Sequence, residues 1–312
     1  MKNNLAFVFP GQGSQKVGML KELGDAHRIV LDTFAEASAV LEYDLWKLSQ
    51  EGTQDELNLT ETTQPLLLTS SVAIWRLWQQ MEGPLPAQVA GHSLGEWSAL
   101  VCAGALQFTD AVSIVRARGA YMQDAVPVGV GAMAAIIGLD DQAIRTVCAD
   151  SQSYGVVDAV NYNAPGQVVI AGEVKAVEQA MLLCKAAGAK RALPLPVSAP
   201  FHTSLMKPAA ERLAGLVEST VFTAPLLPVV HNVNGQVASD VSLIKSLMLE
   251  QIYSPVRWVD CVLTLRERGA ENLIECGPGR VLNGLSKRID RELRSFATDD
   301  IDSLENALVS LN

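Results

Sequence analysis

Cysteines are few in this sequence, and they show no pattern in which they could act together. The five are odd in number and scattered, without CxxC or Cys/His spacing. They are Cys102, Cys148, Cys184, Cys261 and Cys276. Disulfide frameworks and zinc sites both need cysteines at suitable spacings, so the pattern argues against either. We therefore expect reduced thiols, no metal site and a cytoplasmic location.

Basic residues are also scarce. The chain has 24 Lys and Arg against 34 Asp and Glu, which gives a formal net charge of −10. Such a surface repels the phosphates of nucleic acids and the headgroups of anionic lipids. We expect neither nucleic acid nor a membrane as a partner.

Long hydrophobic runs are missing as well. The apolar stretch near the start, in MKNNLAFVFPGQGSQ, is shorter than the core of a signal peptide, and the small-residue stretch 128–139 is too short to span a bilayer. Apolar residues make up 49% of the 312 residues and charged residues 19%. This composition is typical of a globular protein with about two structural units.

Strands and helices alternate in the first third of the chain. Residues Leu5 to Phe9 predict a buried strand that stops at Pro10, and 88–90 predict a second strand, followed by a helix over 94–106. Further helices are predicted in the sixties and seventies, after the signal TETTQP, and from Thr109. This alternation predicts an α/β fold with a parallel sheet flanked by helices.

The stretch from Gly131 to Leu195 has a different rhythm. Its pattern predicts the order β-α-β-β-α-β, which is the ferredoxin-like arrangement. We therefore expect a small domain over 128–196, inserted into a larger domain made of 1–127 and 197–312. The hinges would lie near Pro127 and Pro196.

A possible nucleophile lies in the stretch AGHSLGEWSAL. Gly91, Ser93 and Gly95 match the G-x-S-x-G pattern of a nucleophile elbow, in which a strand turns sharply into a helix. The N–H of Leu94 would then face an oxyanion formed at Ser93. The alternative is a glycine-flanked turn in which the serine caps the helix.

A serine needs a base, and the chain has four histidines. His92 adjoins the serine in a tight turn and should point elsewhere. His27 lies on an early, exposed helix, and His231 lies in an apolar strand, where a structural role is expected. His202, in SAPFHTS, remains by elimination.

The turn Gly11-Gln12-Gly13 does not fit a phosphate loop, because its third glycine is Gly18 and no G-K-[ST] follows. The N–H of Gln12 could instead be a second donor to the oxyanion, as the loop of a neighbouring strand is in α/β hydrolases.

Several stretches together resemble one known family. They are FVFPGQGSQ, GHSLGEWSAL, RARGAYMQ, NYNAPGQVVIAG, VSAPFHTSLM, EQIYSPVRW and ECGPGRVL. In order and spacing they are similar to the malonyl-CoA:acyl carrier protein transacylases of bacterial fatty-acid synthesis, over nearly the whole chain. The resemblance implies an α/β-hydrolase-like large domain with a ferredoxin-like small domain.

The resemblance also implies the roles of single residues. Ser93 would be the nucleophile and His202 the base, with Gln251 in the orienting place that an aspartate fills in hydrolases. Arg118 would bind the malonyl carboxylate, and the N–H groups of Gln12 and Leu94 would form the oxyanion hole. Other positions near the pocket would be His92, Gln64 and Asn163, with Trp97 and Phe201 bearing on its shape.

The implied reaction moves a malonyl group from CoA to acyl carrier protein through a malonyl-serine, without a cofactor, in a monomer. A neutral Gln251 would stabilise an imidazolium less than a carboxylate does and so limit hydrolysis. The basic clusters Lys190–Arg191 and Lys287–Arg288 are the expected docking points for the acidic carrier.

Three other interpretations remain at this stage. A thioesterase or esterase would share the elbow but would not need Arg118. Another acyltransferase of the family would serve a different carrier or accept methylmalonyl groups. A non-catalytic carrier-binding module would lack the serine or the histidine, and both are present.

Overall fold

Two separate β-sheets with helices packed on them form the structure, a computed structural model that describes residues 2–197 and 199–311. Ser198, in the histidine motif, lies outside the described residues. The strands are β1 (Lys2–Phe9), β2 (Pro86–Gly91), β3 (Gly131–Ile137), β4 (Val157–Ala164), β5 (Gln167–Glu173), β6 (Arg191–Pro194), β7 (Val229–Val230), β8 (Val237–Ala238), β9 (Asn272–Glu275) and β10 (Arg294–Ala297).

Helices connect most of these strands. They are α1 (Lys21–Ala26), α2 (Arg28–Leu41), α3 (Leu45–Glu51), α4 (Gln54–Asn58), α5 (Thr60–Gln80), α6 (Gly95–Cys102), α7 (Phe108–Asp124), α8 (Asp141–Ser151), α9 (Val174–Ala186), α10 (Lys207–Ser219), α11 (Val241–Glu250), α12 (Trp258–Glu267), α13 (Val281–Ile289) and α14 (Ile301–Leu311). Within the described ranges, no helix is both long enough and apolar enough to cross a membrane.

The large sheet has the strand order β10-β9-β1-β2-β7-β8 and is parallel except for the β7–β8 pair. The predicted parallel sheet is therefore confirmed. Residues Leu5 to Phe9 of β1 are fully buried, as expected for a strand covered by helices on both faces. Because Phe9 is in register with Gly91, the loops after β1 and β2 leave the sheet side by side.

The small sheet is antiparallel, with the order β4-β5-β3-β6. Its elements follow one another as β3-α8-β4-β5-α9-β6, the order predicted for 131–195. It has its own apolar core, in which Ile136, Ile144 and Ile170 are fully buried. Its links to the rest of the chain include two main-chain hydrogen bonds, from Tyr162 N to the Val256 carbonyl (3.0 Å) and from Val256 N to the Val160 carbonyl (2.8 Å).

Two helices differ from the predicted bounds. Helix α5 begins at Thr60, so TETTQP lies inside the helix and Pro65 follows its first turn. A proline is most often found in the first turn of a helix, which is why the sequence suggested a later start. Helix α6 ends at Cys102 because Gly104, at φ +73°, turns the chain out of the helix. The N–H of Ala105 then bonds the Leu100 carbonyl, which completes a Schellman motif.

Candidate active site

Ser93 lies on a sharp turn between β2 and α6. Its φ of +52° is a left-handed conformation that non-glycine residues rarely adopt, and such strain is common at functional sites. Both flanking glycines are needed for this turn. A Cβ at Gly91 would lie 1.9 Å from the Gly95 carbonyl carbon, and a Cβ at Gly95 would lie 2.0 Å from the Phe9 oxygen. The G-x-S-x-G motif therefore has the strand-turn-helix context that the nucleophile elbow requires.

The Ser93 hydroxyl contacts His202 and does not cap α6. Ser93 Oγ lies 2.8 Å from His202 Nε2, and the N-cap of α6 is Leu94, without a side-chain cap. On its other side, His202 Nδ1 donates to the main-chain carbonyl of Gln251 at 2.8 Å. A carbonyl can only accept, so the proton is on Nδ1 and the lone pair of Nε2 faces the serine.

His202 is held in its neutral form. Burial, together with the nearby positive charge of Arg118, lowers the pKa of His202 to about 3. The hydrogen bond to the Gln251 carbonyl opposes both effects without overcoming them. At neutral pH the imidazole is therefore free to accept a proton from the serine.

Gln251 orients His202 through its main chain, which corrects the expectation for its side chain. The side-chain Oε1 accepts from Arg118 Nη2 (3.0 Å), and Nε2 donates to the Ser93 carbonyl (2.9 Å). The neutral amide is thus not the partner of the imidazole. No side-chain contact with the imidazole supports the expectation that this amide sets the basicity of His202, and the expected limit on hydrolysis stays a prediction.

Arg118 brings a buried cation to the serine. The residue is 1% exposed; its Nη1 donates to Gln64 Oε1 (2.8 Å), and its Nη2 lies 3.4 Å from Ser93 Oγ. No carboxylate forms an ion pair with it among the residues that the structure describes. Burial lowers the pKa of Arg118 to about 10, so the side chain is charged at neutral pH. Arg116, two positions earlier, is exposed.

Two main-chain N–H groups lie beside the elbow. The loop after β1 packs on the residue before the serine, since a Cβ at Gly11 would lie 2.5 Å from the His92 oxygen. This packing brings Gln12 to the carboxyl end of β2. Leu94 N–H is at the start of α6, where helix donors are unpaired. In the described part of the chain, neither N–H has a hydrogen-bond acceptor.

His92 turns away from the serine, as predicted. Its Nε2 is 2.8 Å from Asn163 Oδ1, and its ring packs on Trp258 with 5.4 Å between centroids. Burial lowers the pKa of His92. Trp97 is fully buried in the main core and Phe201 is 8% exposed.

Glu96 and Asn232 belong to the site but were missed in the sequence. Asn232 Oδ1 accepts from Ser93 N and its Nδ2 donates to the Gly91 carbonyl, both at 2.7 Å. This side chain therefore fixes the main chain of the elbow. Glu96 is fully buried in the first turn of α6 and contacts His231 Nδ1 at 2.7 Å. The expected long strand through His231 ends at Val230, because His231 and Asn232 turn towards Glu96. The sequence signal that could have identified Glu96 is an acidic residue among the mostly apolar residues after the elbow.

A cavity of about 420 Å³ opens beside His202. It lies between α8, β4 and the loop that follows Gln251, and its walls include Arg145, Tyr162 and Tyr253. An extended substrate arm in this cavity would lie against His202.

No group of three or more His, Cys, Asp or Glu side chains that could hold a metal ion occurs in 2–197 and 199–311. The five cysteines are buried and free. The polar groups gathered at the candidate site are the serine hydroxyl, the imidazole, the guanidinium and the main-chain donors.

Comparisons with known proteins identify the family of this chain. Residues 6–301 match the family model described as the acyl transferase domain. The malonyl CoA-acyl carrier protein transacylase of Salmonella typhimurium is 56% identical over 97% of this chain and 98% of its own, and that of Escherichia coli K12 is 55% identical over the same shares.

Solved structures are equally similar. An acyl carrier protein S-malonyltransferase from Vibrio cholerae has a TM-score of 0.95 and 56% identity, covering 97% of this chain and 99% of its own. A malonyl-transacylase in complex with its type II PKS acyl-carrier protein has a TM-score of 0.97 and 53% identity, covering 98% and 99%. This chain belongs to the acyl transferase domain family, and within it to the malonyl CoA-acyl carrier protein transacylases.

Proposed function

We propose that this protein transfers a malonyl group from CoA to the phosphopantetheine thiol of acyl carrier protein through a malonyl-Ser93 intermediate. The observation that carries the proposal is a serine hydroxyl 2.8 Å from a neutral imidazole and 3.4 Å from a buried guanidinium. The names of the relatives support the same reaction.

In the first half-reaction, Ser93 Oγ attacks the thioester carbonyl of malonyl-CoA while His202 Nε2 takes the hydroxyl proton. The N–H groups of Gln12 and Leu94 bind the oxyanion of the tetrahedral intermediate. The intermediate collapses with cleavage of the C–S bond, and the CoA thiol leaves with the proton from His202.

In the second half-reaction, the thiol of the carrier gives its proton to His202 and attacks the malonyl ester. The same donors stabilise the second oxyanion, and the ester C–O bond breaks as Ser93 Oγ takes back the proton from His202. CoA and the carrier are therefore substrates, and the reaction uses no separate cofactor.

Arg118 is the proposed source of acyl selectivity. A malonyl group esterified at Ser93 extends its free carboxylate roughly 4 Å from Oγ, from carbon–carbon bonds of about 1.5 Å. Arg118 Nη2 is 3.4 Å from that oxygen, so a paired carboxylate and guanidinium fit the same pocket. An acetyl group would leave the buried cation unpaired, which disfavours it.

We also propose the finer description of the fold. The large part, 1–127 and 197–312, would be α/β-hydrolase-like, supported by the elbow at the carboxyl end of β2. The small part, 128–196, would be a ferredoxin-like insert, supported by the strand order β4-β5-β3-β6 and a core of its own.

For the carrier we propose a docking surface that we name the basic edge, made of Lys190, Arg191, Lys287 and Arg288. All four side chains are exposed. The two clusters lie on the same edge of the small sheet, because Arg288 Nη1 donates to Gln167 Oε1, and Gln167 and Arg191 flank Ile137 on the two neighbouring strands. The positive charge complements an acidic carrier on a chain whose net charge is −10.

The experiment is intact-protein and peptide mass spectrometry after mixing with malonyl-CoA and then with carrier. We expect a malonyl mass on the Ser93 peptide that moves to the carrier, and no mass on a Ser93→Ala variant. Rapid loss of the malonyl mass to water before the carrier is added would instead support a hydrolase.

The cytoplasmic location and the monomeric state also remain proposals. The five free thiols support the first. Sedimentation of the purified protein would test the second.

A further inference from the structure

Glu96 is a buried carboxylate that the reaction above does not use. It lies three residues after Ser93 and has no exposed surface. Its Oε1 contacts His231 Nδ1 (2.7 Å), and its Oε2 accepts from Asn232 N (3.2 Å) and from Gln251 Nε2 (2.5 Å). Burial of a carboxylate costs free energy unless each oxygen has a hydrogen-bond partner. Glu96 and its partners therefore hold one another in place.

The contact with Gln251 determines which way the Gln251 amide faces. Its Nε2 has two acceptors, Glu96 Oε2 and the Ser93 carbonyl. A flipped amide would set its oxygen against both of these acceptors and its NH₂ group against Arg118. The orientation with Oε1 towards Arg118 Nη2 (3.0 Å) is therefore the one in which each group has a complementary partner.

The amide also keeps the two buried charges apart. Glu96 and Arg118 both contact Gln251, on its opposite ends, and no direct ion pair joins them within 2–197 and 199–311. A direct pair would occupy the guanidinium and compete with an incoming carboxylate. With the amide between them, the carboxylate stabilises the cation while an N–H edge of Arg118 stays beside Ser93 Oγ.

We propose that Glu96 is a positioning residue for acyl-group selection: through the Gln251 amide it holds Arg118 charged, oriented and open to the free carboxylate of a dicarboxylic acyl chain. This inference rests on the proposed function. It assigns the second carboxylate of the acyl chain, and not the thioester, as the group whose recognition depends on Glu96.

The test compares Glu96→Gln with the wild type, using malonyl-CoA and acetyl-CoA as alternative donors and measuring acylation of Ser93. We expect kcat/KM for malonyl-CoA to fall about tenfold, mainly through KM, and that for acetyl-CoA to change less than twofold. The matched control is Glu275→Gln, which removes another fully buried carboxylate, one that contacts N–H groups of α13. We expect this control to keep the wild-type ratio of malonyl to acetyl.

A second comparison separates positioning from general stability. In an Arg118→Ala background, Glu96→Gln should no longer change the ratio of malonyl to acetyl, since it acts through the guanidinium. An equal fall for both donors, or an unchanged ratio in a folded Glu96→Gln protein, would overturn the inference. Failure of the wild type to prefer malonyl would instead refute the proposed function.

If Glu96→Gln does not fold, Gln251→Leu tests the amide link on which the inference depends. It removes both amide groups but keeps the main-chain carbonyl that His202 contacts. The inference requires a lower ratio of malonyl to acetyl in this variant, and a wild-type ratio would contradict it.

Discussion

At the scale of single residues, the site combines groups that are weak alone. A serine hydroxyl is a poor nucleophile, and a buried imidazole is a weak base when its pKa is about 3. The imidazole is nevertheless entirely neutral at working pH, with its lone pair on the hydroxyl. Burial lowers the basicity of His202 but keeps it in the protonation state that can accept the serine proton. In the proposed mechanism, a site shielded from water also strengthens the stabilisation of the oxyanion by the main-chain donors.

The first prediction concerns Arg118. We expect Arg118→Ala to lower kcat/KM for malonyl-CoA about 10- to 150-fold, equivalent to about 1.5–3 kcal/mol for a charge-assisted pair. Acetyl-CoA should be affected far less, because it has no carboxylate to lose. Arg116→Ala is the matched control, from the same helix but exposed. Steady-state kinetics with both donors checks this, and an equal loss for both would count against a role in acyl selection.

The second prediction concerns pH. For a base of ordinary pKa, about 6.5, the neutral fraction falls roughly tenfold between pH 7.5 and 5.5. Because the pKa of His202 is lowered to about 3, we expect the rate of Ser93 acylation to stay nearly constant over this range. Stopped-flow measurement of the acylation step checks it. A fall centred near pH 6.5 would show that the histidine titrates normally.

The same shift affects stability with a definite sign. The folded protein binds the His202 proton less tightly than the unfolded chain, so the free energy of unfolding falls as pH decreases from about 6.5 towards 3. A His202→Asn variant should show a shallower fall in chemical denaturation over this window.

At the scale of elements, the sequence predicted the reactive residues better than the residues that hold them in place. The elbow was recognisable because the sharp turn from strand to helix leaves no room for a side chain two residues before or after the serine. Glycines at this fixed spacing therefore mark the turn in the sequence. The link from His202 to the Gln251 main chain was not, since a main-chain contact leaves no trace in side-chain identity. Glu96 and Asn232 lie 136 residues apart in sequence and meet only because β2 and β7 pair.

The third prediction is a matched pair of glycine substitutions. Gly104 closes α6 at φ +73°, so Gly104→Ala should lower the free energy of unfolding by about 1–2 kcal/mol. Gly215 lies inside α10 with open space around it, and Gly215→Ala should raise that free energy by about 0.5–1 kcal/mol. Urea denaturation measures both. Equal effects would mean that Gly104 is not required for its conformation.

At the scale of the whole molecule, charge is unevenly distributed. The chain is acidic overall, yet four exposed basic residues lie on the basic edge. Neither cluster was special in sequence, where each is an ordinary Lys-Arg pair. Their proximity depends on β5 and β6 both pairing with β3, and on α13 packing against the small sheet.

The fourth prediction concerns this surface. Charge reversal at Lys190, Arg191, Lys287 and Arg288 should raise KM for the carrier at least tenfold and leave acylation of Ser93 by malonyl-CoA unchanged. The effect should shrink at high salt, because exposed charges are screened. Reversal of Lys175 and Lys185, on the same small part of the chain, is the control. An unchanged KM would exclude the basic edge.

The main-chain link between His202 and residue 251 has a consequence for protein engineering. No substitution at position 251 can delete that carbonyl, so libraries randomised there would sample acyl-group preference while the serine–histidine pair keeps its alignment. New acyl preferences could therefore be sought at this position without removing the hydrogen-bond partner of His202 Nδ1.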